Sequence, residues 1–182
     1  MNVQETELAG VYIIQPKLFD DYRGWFYESY SMIKLKQHNI STTFVQDNHS
    51  FSKHKGTLRG LHFQNNPKAQ SKLIRCTRGI ILDIAVDLRR NSPNYKKWVS
   101  VELSENNKKQ LFIPKGFAHG FVTLVDNVEI QYKADEYYSP EYDRSILYND
   151  PDIGVNWGRI NPILSDKDLN APLLKDSDVN FI

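Results

Sequence analysis

Short strand patterns recur about every ten residues between positions 71 and 134, and this spacing constrains the fold more than any other feature. Each pattern is rich in β-branched, aromatic and other apolar residues. Polar turns such as Asn91-Ser92-Pro93-Asn94 and Glu105-Asn106-Asn107-Lys108 separate them. A series of short strands joined by such turns is typical of a β-sandwich or a β-barrel. We therefore predict an all-β protein.

Two of these patterns predict which side chains point inward. In residues 80–88 the even-numbered positions are all apolar, whereas Asp83 and Asp87 are odd-numbered, so we predict that the even-numbered side faces the core. Arg78-Gly79 precedes this strand and favours a tight hairpin with the strand before it. In residues 128–134 the alternation places Tyr132 on the apolar face.

The length of 182 residues predicts a single domain with one sizeable core. The only early helix is predicted after Ser31, which can cap it, and it ends around His38-Asn39. Beyond Tyr138 the chain consists mainly of proline-containing loops with apolar residues available for docking. The domain at 1–182 thus divides into an N-terminal segment at 1–39, a barrel core at about 40–135 and a C-terminal appendage at 139–182.

Charge, cysteine content and hydropathy exclude several classes of protein. With 23 basic and 22 acidic residues the formal net charge is +1, and no long run of like charge suggests a nucleic-acid-binding face. Cys76 is the only cysteine, so an internal disulfide is excluded. The first residues lack a secretion-signal pattern, and no apolar run approaches the roughly 20 residues of a membrane helix. We therefore expect a cytoplasmic protein with neither nucleic acid nor membrane as a partner.

The segment 56–64, with the sequence GTLRGLHFQ, carries the clearest chemical signal. It reads as a half-buried strand in which Arg59 and His62 interrupt the apolar residues. An imidazole can exchange a proton near neutral pH, and a guanidinium is suited to bind a phosphate. On a straight strand these two side chains would point to opposite faces, so both reach one pocket only if the strand bends. Gly60 lies where a β-bulge would produce that bend.

A metal site is the first alternative for these residues. Residues 114–119 (PKGFAH) resemble the Pro-x-Gly-x-x-His pattern of metal-binding cupins. The companion His-x-His motif is absent, since Phe63 and Gln64 follow His62, and no glutamate comes within the next dozen residues. Two histidines are too few for a protein metal site, which usually has three or four ligands. We therefore expect no metal.

Acid–base chemistry is the class that remains. Cys76 lies in an apolar strand without an activating neighbour, and the chain has no nucleophile elbow, phosphate loop or dinucleotide fingerprint. Taken singly, each candidate could also be structural: a buried histidine, a core tyrosine, a solvated lysine or a turn arginine. The candidates are two imidazoles, a phenol and three cationic anchors: His62, His119, Tyr132, Arg23, Arg59 and Lys72.

Six ordered motifs, spread over about 150 residues, together resemble the dTDP-4-dehydrorhamnose 3,5-epimerase family. They are DYRGWFYE at 21–28, FVQDN at 44–48, LRGLHFQ at 58–64, PKGFAHG at 114–120, YK at 132–133 and LSDKD at 164–168. The resemblance implies a jelly-roll (cupin-type) barrel and a homodimer that exchanges N-terminal segments. It also implies epimerisation of dTDP-4-dehydro-6-deoxy-D-glucose at carbons 3 and 5, with neither a metal nor an organic cofactor.

The same resemblance implies roles for individual residues. His62 would be the general base, Asp168 the carboxylate that orients it, and Tyr132 the acid on the opposite side. Lys72 would stabilise the enolate oxygen, because a proton beside a ketone is removable only if that developing charge is stabilised. Asp143 stands where the family commonly has glutamate. The implied substrate-binding residues are Arg23 and Arg59 near the diphosphate, Phe26 and Tyr138 against the thymine ring, and Glu28, Gln46, Asp47, Asn48, Lys72, His119, Asp143 and Lys167.

Two other readings stay open at the level of the sequence. Proteins with the same barrel can invert a single centre or move the ketone of a related sugar nucleotide, because fold alone does not fix function. A non-catalytic sugar-nucleotide-binding cupin is the other alternative. It would bind dTDP without exchanging any proton with solvent.

Overall fold

The computed structural model describes residues 1–182 and consists mainly of antiparallel strands. In chain order the strands are β1 (Asn2–Glu5), β2 (Tyr12–Gln15), β3 (Leu18–Asp21), β4 (Gly24–Tyr27), β5 (Gln46–Ser52), β6 (Leu58–Gln64), β7 (Lys72–Arg78), β8 (Ile80–Asp87), β9 (Trp98–Ser104), β10 (Gln110–Ile113), β11 (Phe117–Thr123), β12 (Val128–Ala134) and β13 (Asp143–Ser145). The six-stranded sheet has the order β1-β2-β10-β7-β12-β5, and the five-stranded sheet has the order β13-β6-β11-β8-β9.

The two sheets face each other across a buried apolar core, which confirms the predicted all-β, jelly-roll type of barrel. Ile74 and Ile130 of the six-stranded sheet pack with Ile81, Val101 and Phe121 of the five-stranded sheet. Since residues from both sheets share this cluster, the faces that carry them line the barrel interior. Any residue on the same faces at the end of the barrel is therefore a candidate for the site.

Two further apolar clusters cover the outer faces of the barrel. The C-terminal segment packs Trp157 and Phe181 against the five-stranded sheet, where they join Leu61 and Phe63 of β6. On the six-stranded sheet, Leu35 packs with residues of the sheet's outer face. Both sheets are therefore buried on two sides over part of their area.

The helices are short. Helix α1 (Met32–Lys36) begins after Ser31, whose side chain accepts a hydrogen bond from the backbone N–H of Lys34. This confirms the predicted capped helix, although it ends slightly earlier than predicted. Helix α2 (Asp166–Leu169) and a 3₁₀ turn at Leu174–Asp176 lie in the C-terminal segment. None of these helices has the length and apolar character that crossing a bilayer would require.

The predicted hairpin at Arg78-Gly79 is wrong. β7 pairs with β10 and β12 in one sheet, whereas β8 pairs with β9 and β11 in the other, so the connection crosses between sheets. Gly79 has φ +80°, and a Cβ there would lie 2.8 Å from Cγ2 of Val128. The glycine thus permits a tight crossover between the sheets. In the sequence, a glycine at such a crossover looks the same as a glycine in a hairpin turn.

The inward face of β8 also differs from the prediction. Its even-numbered residues Ile84 and Val86 do face a core, but it is the outer one beneath the C-terminal segment. Its odd-numbered residues Ile81 and Ala85 face the barrel interior. The alternation was ambiguous because both faces of this strand are covered. Asp83 consequently belongs to the interior face.

One hairpin stands apart from both sheets. β3 and β4 pair only with each other. The hairpin exposes large aromatic side chains, with Tyr22 97% and Phe26 69% exposed. Its contact with the barrel includes Trp25, whose ring centre lies 3.8 Å from Nζ of Lys108.

Candidate active site

A β-bulge in β6 turns Arg59 and His62 to the same side. Against β11, His62 pairs with His119 and Arg59 pairs with Phe121, so β6 has one more residue than its partner between these pairs. Because Leu61 and Phe63 face the C-terminal cluster, His62 between them faces the barrel interior. The predicted bend at this point of the strand is confirmed.

Two glycines make the bulge possible. Gly60 has φ +128°, and a Cβ there would lie 2.5 Å from Cα of Gly120 on the neighbouring strand. A Cβ at Gly120 would lie 3.0 Å from the backbone oxygen of Arg59. The two backbones therefore approach more closely than side chains permit, and this approach sets the position of His62.

His62 is hydrogen-bonded to a carboxylate from the C-terminal segment. Its Nε2 lies 2.5 Å from Oδ1 of Asp168, which is 3% exposed. Ser165 caps α2 by accepting a hydrogen bond from the backbone N–H of Asp168 at 3.2 Å, and its hydroxyl donates to Oδ2 of Asp168 at 2.9 Å. Both carboxylate oxygens of Asp168 are thus bonded, and the predicted residues His62 and Asp168 are brought together.

This arrangement keeps the carboxylate of Asp168 ionised. Burial alone would raise the pKa of Asp168, but the hydrogen bonds from His62, Ser165 and the backbone of Gly60, with the charge of His62, outweigh it and lower the pKa. Asp168 is therefore ionised at neutral pH and accepts the proton on Nε2 of His62. The free lone pair of the neutral ring is then on Nδ1, which can take a proton from a ligand.

A second histidine–aspartate pair lies beside the first. His119, directly opposite His62 in the strand pairing, has its Nε2 2.7 Å from Oδ1 of Asp83. Both residues are buried, Asp83 completely. Asp83 was not among the site residues predicted from the sequence. The signal that could have indicated it was a carboxylate in the middle of a strongly apolar strand.

Lys72 and Tyr132 face this wall from the six-stranded sheet. Nζ of Lys72 lies 5.8 Å from the centre of the Tyr132 ring. Burial lowers the pKa of Lys72 to about 8, against the opposing attraction of Asp143 and Asp83. Burial also raises the pKa of Tyr132, an effect that the charge of Asp143 adds to and that of Arg59 opposes. At neutral pH Lys72 is mostly a cation and Tyr132 a neutral phenol.

The remaining polar residues surround the opening of the barrel. The Nε of Arg59 lies 3.4 Å from the hydroxyl oxygen of Ser52 on the opposite sheet. Gln46 donates to Oδ1 of Asn48 at 3.0 Å and accepts from the backbone N–H of Tyr138 at 3.1 Å. The predicted residues Gln46, Asn48 and Tyr138 are therefore linked to one another, and Arg59 reaches towards their sheet.

Asp143 joins two other predicted residues. Its Oδ2 accepts hydrogen bonds from the Tyr138 hydroxyl at 3.1 Å and from Nζ of Lys167 at 2.5 Å. These contacts place β13 and α2 on the same side of the opening. An aspartate at this position thus forms a connected group with a cation and a phenol.

Four predicted residues lie apart from this group: three have other partners within the chain, and the fourth is exposed. Arg23 forms an ion pair with Asp21 at 2.6 Å, and Glu28 forms one with Lys34. Phe26 is exposed on the β3–β4 hairpin. Asp47 lies on the opposite face of β5 from Gln46 and Asn48, where it pairs with Lys133 at 2.8 Å. No hydrogen bond or ion pair joins these four to His62, Lys72 or Tyr132.

Metal ligation and thiol chemistry have little support in the geometry. No three or more histidine, cysteine, aspartate or glutamate side chains are grouped in a way that could hold a metal ion. Burial raises the pKa of Cys76 to about 12, so its thiolate is scarce at neutral pH. The arrangement instead offers an imidazole on one wall, a phenol on the facing wall and a cation between the sheets.

Comparison with known proteins identifies relatives over nearly the whole chain. A sequence model of the family described as dTDP-4-dehydrorhamnose 3,5-epimerase matches residues 5–176. The protein of that name from Salmonella typhimurium is 52% identical over 176 residues, which cover 96% of this chain and 96% of that protein.

Solved structures agree with this match. The chain is similar to the Bacillus anthracis dTDP-4-dehydrorhamnose 3,5-epimerase solved with TDP and PPi bound, with a TM-score of 0.93, 50% identity and coverage of 95% of this chain and 99% of that one. It is also similar to the Legionella pneumophila dTDP-6-deoxy-D-glucose-3,5-epimerase solved with dTDP-4-keto-L-rhamnose, with a TM-score of 0.93, 43% identity and coverage of 97% and 94%. The chain therefore belongs to the dTDP-4-dehydrorhamnose 3,5-epimerase family.

Proposed function

We propose that the protein epimerises dTDP-4-dehydro-6-deoxy-D-glucose at carbons 3 and 5, giving dTDP-4-dehydro-L-rhamnose. The observation that carries this proposal is the position of His62 and Tyr132 on the facing interior walls of one barrel. Inverting a carbon requires that a proton leave from one side and return to the other. Two proton-transfer groups on opposite walls meet that requirement without any change in the oxidation state of the substrate.

The first half of each inversion is proton removal. Nδ1 of His62 takes the proton from the carbon beside the ketone, and the electron pair of the C–H bond forms an enolate. Asp168 stabilises the resulting imidazolium through its ionised carboxylate. Lys72, cationic at neutral pH, donates to the enolate oxygen. One such positioned base typically contributes about 10²–10⁴-fold to the rate.

The second half is proton return from the opposite face. Tyr132 donates its hydroxyl proton to the carbon, the enolate collapses to the ketone, and the tyrosinate is reprotonated from solvent. Its raised pKa keeps it protonated before the reaction. Loss of the proton of His62 to solvent completes the cycle and prepares the site for the second carbon.

We assign the nucleotide-binding part of the site to the opening of the barrel. Arg59 and Lys167 supply positive charge for the diphosphate, and Tyr138 supplies an aromatic ring for the thymine. His119, Gln46, Asn48 and Asp143 add hydrogen-bonding groups beside the sugar and nucleoside.

The exposed β3–β4 hairpin supports a homodimer with exchanged N-terminal segments. Its aromatic side chains are uncovered in the single chain, and Arg23 and Phe26 lie on it without contact to the chain's own site. We propose that this hairpin, together with Glu28 and the outward-facing Asp47, completes the site of a partner subunit. The arm would then bring a cation to the diphosphate and a second ring to the thymine.

Complementation tests the exchange. Arg23→Ala and His62→Asn variants are each expected to be nearly inactive. When they are unfolded and refolded together, half of the dimers are mixed and each mixed dimer has one complete site, so about a quarter of wild-type activity returns. Without exchange, the wild-type His62 of a mixed dimer stays beside a mutated Arg23 and no activity returns.

The reaction itself is tested in heavy water. With dTDP-4-dehydro-6-deoxy-D-glucose as the substrate, NMR of the product should find solvent deuterium at both carbon 3 and carbon 5. Deuterium at a single carbon would identify a mono-epimerase. Binding of dTDP without any deuterium uptake would identify a non-catalytic sugar-nucleotide binder.

A further inference from the structure

A buried carboxylate outside the proposed proton-transfer steps lies on the interior wall of the barrel. Asp83 of β8 is 0% exposed, and its Oδ1 lies 2.7 Å from Nε2 of His119. Its Oδ2 is the one buried side-chain oxygen or nitrogen in the structure without a hydrogen-bond partner. Because nearly all buried polar groups are paired, this free oxygen calls for a physical explanation.

Lys72 provides that explanation from the facing sheet. It forms neither a side-chain hydrogen bond nor an ion pair, although burial disfavours its charge. The charge of Asp83 acts on Lys72 in the stabilising direction, as does that of Asp143. A fully buried anion and a partly buried cation, neither of them in an ion pair, therefore face each other across the site. Each reduces the free-energy cost of removing the other from water.

The other charged or titratable groups around Lys72 are hydrogen-bonded to other residues or have a separate role in the proposed reaction. Asp143 shares its carboxylate with Lys167 and Tyr138, so part of its charge is compensated. Lys167 disfavours the charge of Lys72. The charged or titratable groups that face this part of the site come from five other elements: Asp143 of β13, Lys167 of α2, Arg59 and His62 of β6, His119 of β11 and Tyr132 of β12.

We propose that Asp83 is a positioning residue of the active site, which fixes the ring of His119 through Oδ1 and keeps Lys72 cationic through the negative charge of its free oxygen. This inference rests on the proposed function, because a cationic Lys72 matters only where an enolate forms. Asp83 would then have an electrostatic role in the reaction, whereas its burial in an apolar strand alone would suggest a purely structural one.

The pH dependence of Asp83→Asn tests the proposal. Asparagine keeps the shape and can still accept the hydrogen bond from His119, but it removes the charge. Lys72 is active as the cation, so activity falls as the pH rises through its pKa, and removing a nearby anion lowers that pKa. In the profile of kcat/KM against pH, we expect the wild type to have an alkaline limb near pH 8. In Asp83→Asn we expect the midpoint of this limb to move to lower pH by about one unit.

Asp87→Asn is the matched control on the same strand. Asp87 is equally buried, but its carboxylate is paired with Arg89 at 2.7 Å and accepts from the Ser92 hydroxyl at 2.6 Å. We expect this variant to lower the melting temperature and leave the alkaline limb where it is. A limb that moves equally in both variants would reflect a general loss of stability and would overturn the proposal.

Lys72→Arg gives a second test that leaves Asp83 unchanged. Arginine keeps its charge throughout the accessible pH range, so the limb near pH 8 should disappear in whatever activity remains. In the combined variant with Asp83→Asn, no shift should follow the second substitution. A limb that persists near pH 8 in Lys72→Arg would overturn the proposal even if Asp83→Asn did not fold.

Wild-type deuterium incorporation separates this inference from the proposed function. If the wild type incorporates deuterium but the limb of Asp83→Asn stays in place, only the role of Asp83 is refuted. If the wild type incorporates none, the proposed function fails first and the role of Asp83 fails with it.

Discussion

The two histidine–aspartate pairs of the site have similar chemistry but different surroundings. His62 and His119 are opposite neighbours on β6 and β11, yet their side chains are 30% and 9% exposed. Asp168 comes from α2 and has both oxygens bonded, whereas Asp83 comes from the adjacent strand and has one oxygen free. The pairs thus differ in the access of a ligand to the imidazole and in the number of carboxylate oxygens that accept a hydrogen bond.

Under the proposed mechanism, this difference assigns proton transfer to the first pair and ligand binding to the second. The ring of His62 is accessible, and a carboxylate with both oxygens hydrogen-bonded holds it in one tautomer. This arrangement suits a base that must reach a carbon atom. His119 is enclosed by the sheet and suits a fixed hydrogen-bonding contact to a ligand. The free oxygen of Asp83 acts on its charged surroundings rather than on a second hydrogen-bond donor.

Replacing His62 should have the largest effect. His62→Asn removes the proposed base, and we expect kcat to fall by about 10²–10⁴-fold while dTDP still binds with nearly wild-type affinity. Steady-state kinetics and calorimetric titration with dTDP measure the two effects. If His119→Asn reduced kcat as strongly, the distinction between the pairs would be broken.

Replacing Asp168 should have the next largest effect. Asp168→Asn removes the charge that stabilises the imidazolium, and we expect kcat to fall by about 10²-fold. Asp166→Asn, an exposed neighbour on the same short helix, is the control and should keep wild-type kcat. Equal activity of Asp168→Asn and the wild type would show that the carboxylate has no part in the reaction.

The same variant makes a prediction about stability. Because the pKa of Asp168 is lowered in the folded protein, its stabilising contribution is present above the ordinary carboxyl pKa near 4 and is lost as the pH falls through the lowered value. Urea unfolding should therefore find the wild type more stable than Asp168→Asn at pH 7, with the difference shrinking in acid. A difference that grows in acid would contradict this sign.

Replacing His119 should mainly weaken binding. His119→Asn shortens the side chain and removes a buried hydrogen bond, so we expect KM to rise about tenfold with kcat changed only severalfold. The split between KM and kcat is the measurement that sharpens the comparison. A fall in kcat with an unchanged KM would instead assign His119 to the proton-transfer steps.

Replacing Ser165 should have the smallest effect. Ser165→Ala removes both the helix cap and the hydrogen bond to Oδ2 of Asp168, and we expect a loss of about 1 kcal/mol in unfolding free energy. We also expect a severalfold fall in kcat, because Asp168 would then resemble the half-bonded Asp83. Ser165→Thr keeps the hydroxyl and should preserve both quantities.

The sequence predicted the parts of the site that depend on local pattern. Alternation and turn spacing gave the all-β barrel, and Gly60 between Arg59 and His62 indicated the bulge that turns both inward. Local pattern failed at Gly79, because a glycine turn fits a crossover between sheets as well as a hairpin. It also failed on β8, because a strand covered on both faces has no polar side to mark its orientation.

The long-range contacts could not be read from the chain alone. His62 and Asp168 are separated by 106 positions, and only the resemblance to a family joined them beforehand. Asp83 meets His119 because two strands adopt one register, which the sequence does not encode locally. Only the structure revealed that the hairpin at 18–27 belongs to neither large sheet.

The location of Asp168 on α2 has a consequence for how an active molecule is made. The imidazole of His62 and its carboxylate partner are 106 positions apart in the chain, so the ribosome adds the carboxylate long after the imidazole. A nascent or truncated chain that stops before Ser165 contains His62 but lacks the carboxylate to which it is bonded in the folded protein. Turnover by the proposed mechanism therefore requires that synthesis has continued beyond Asp168.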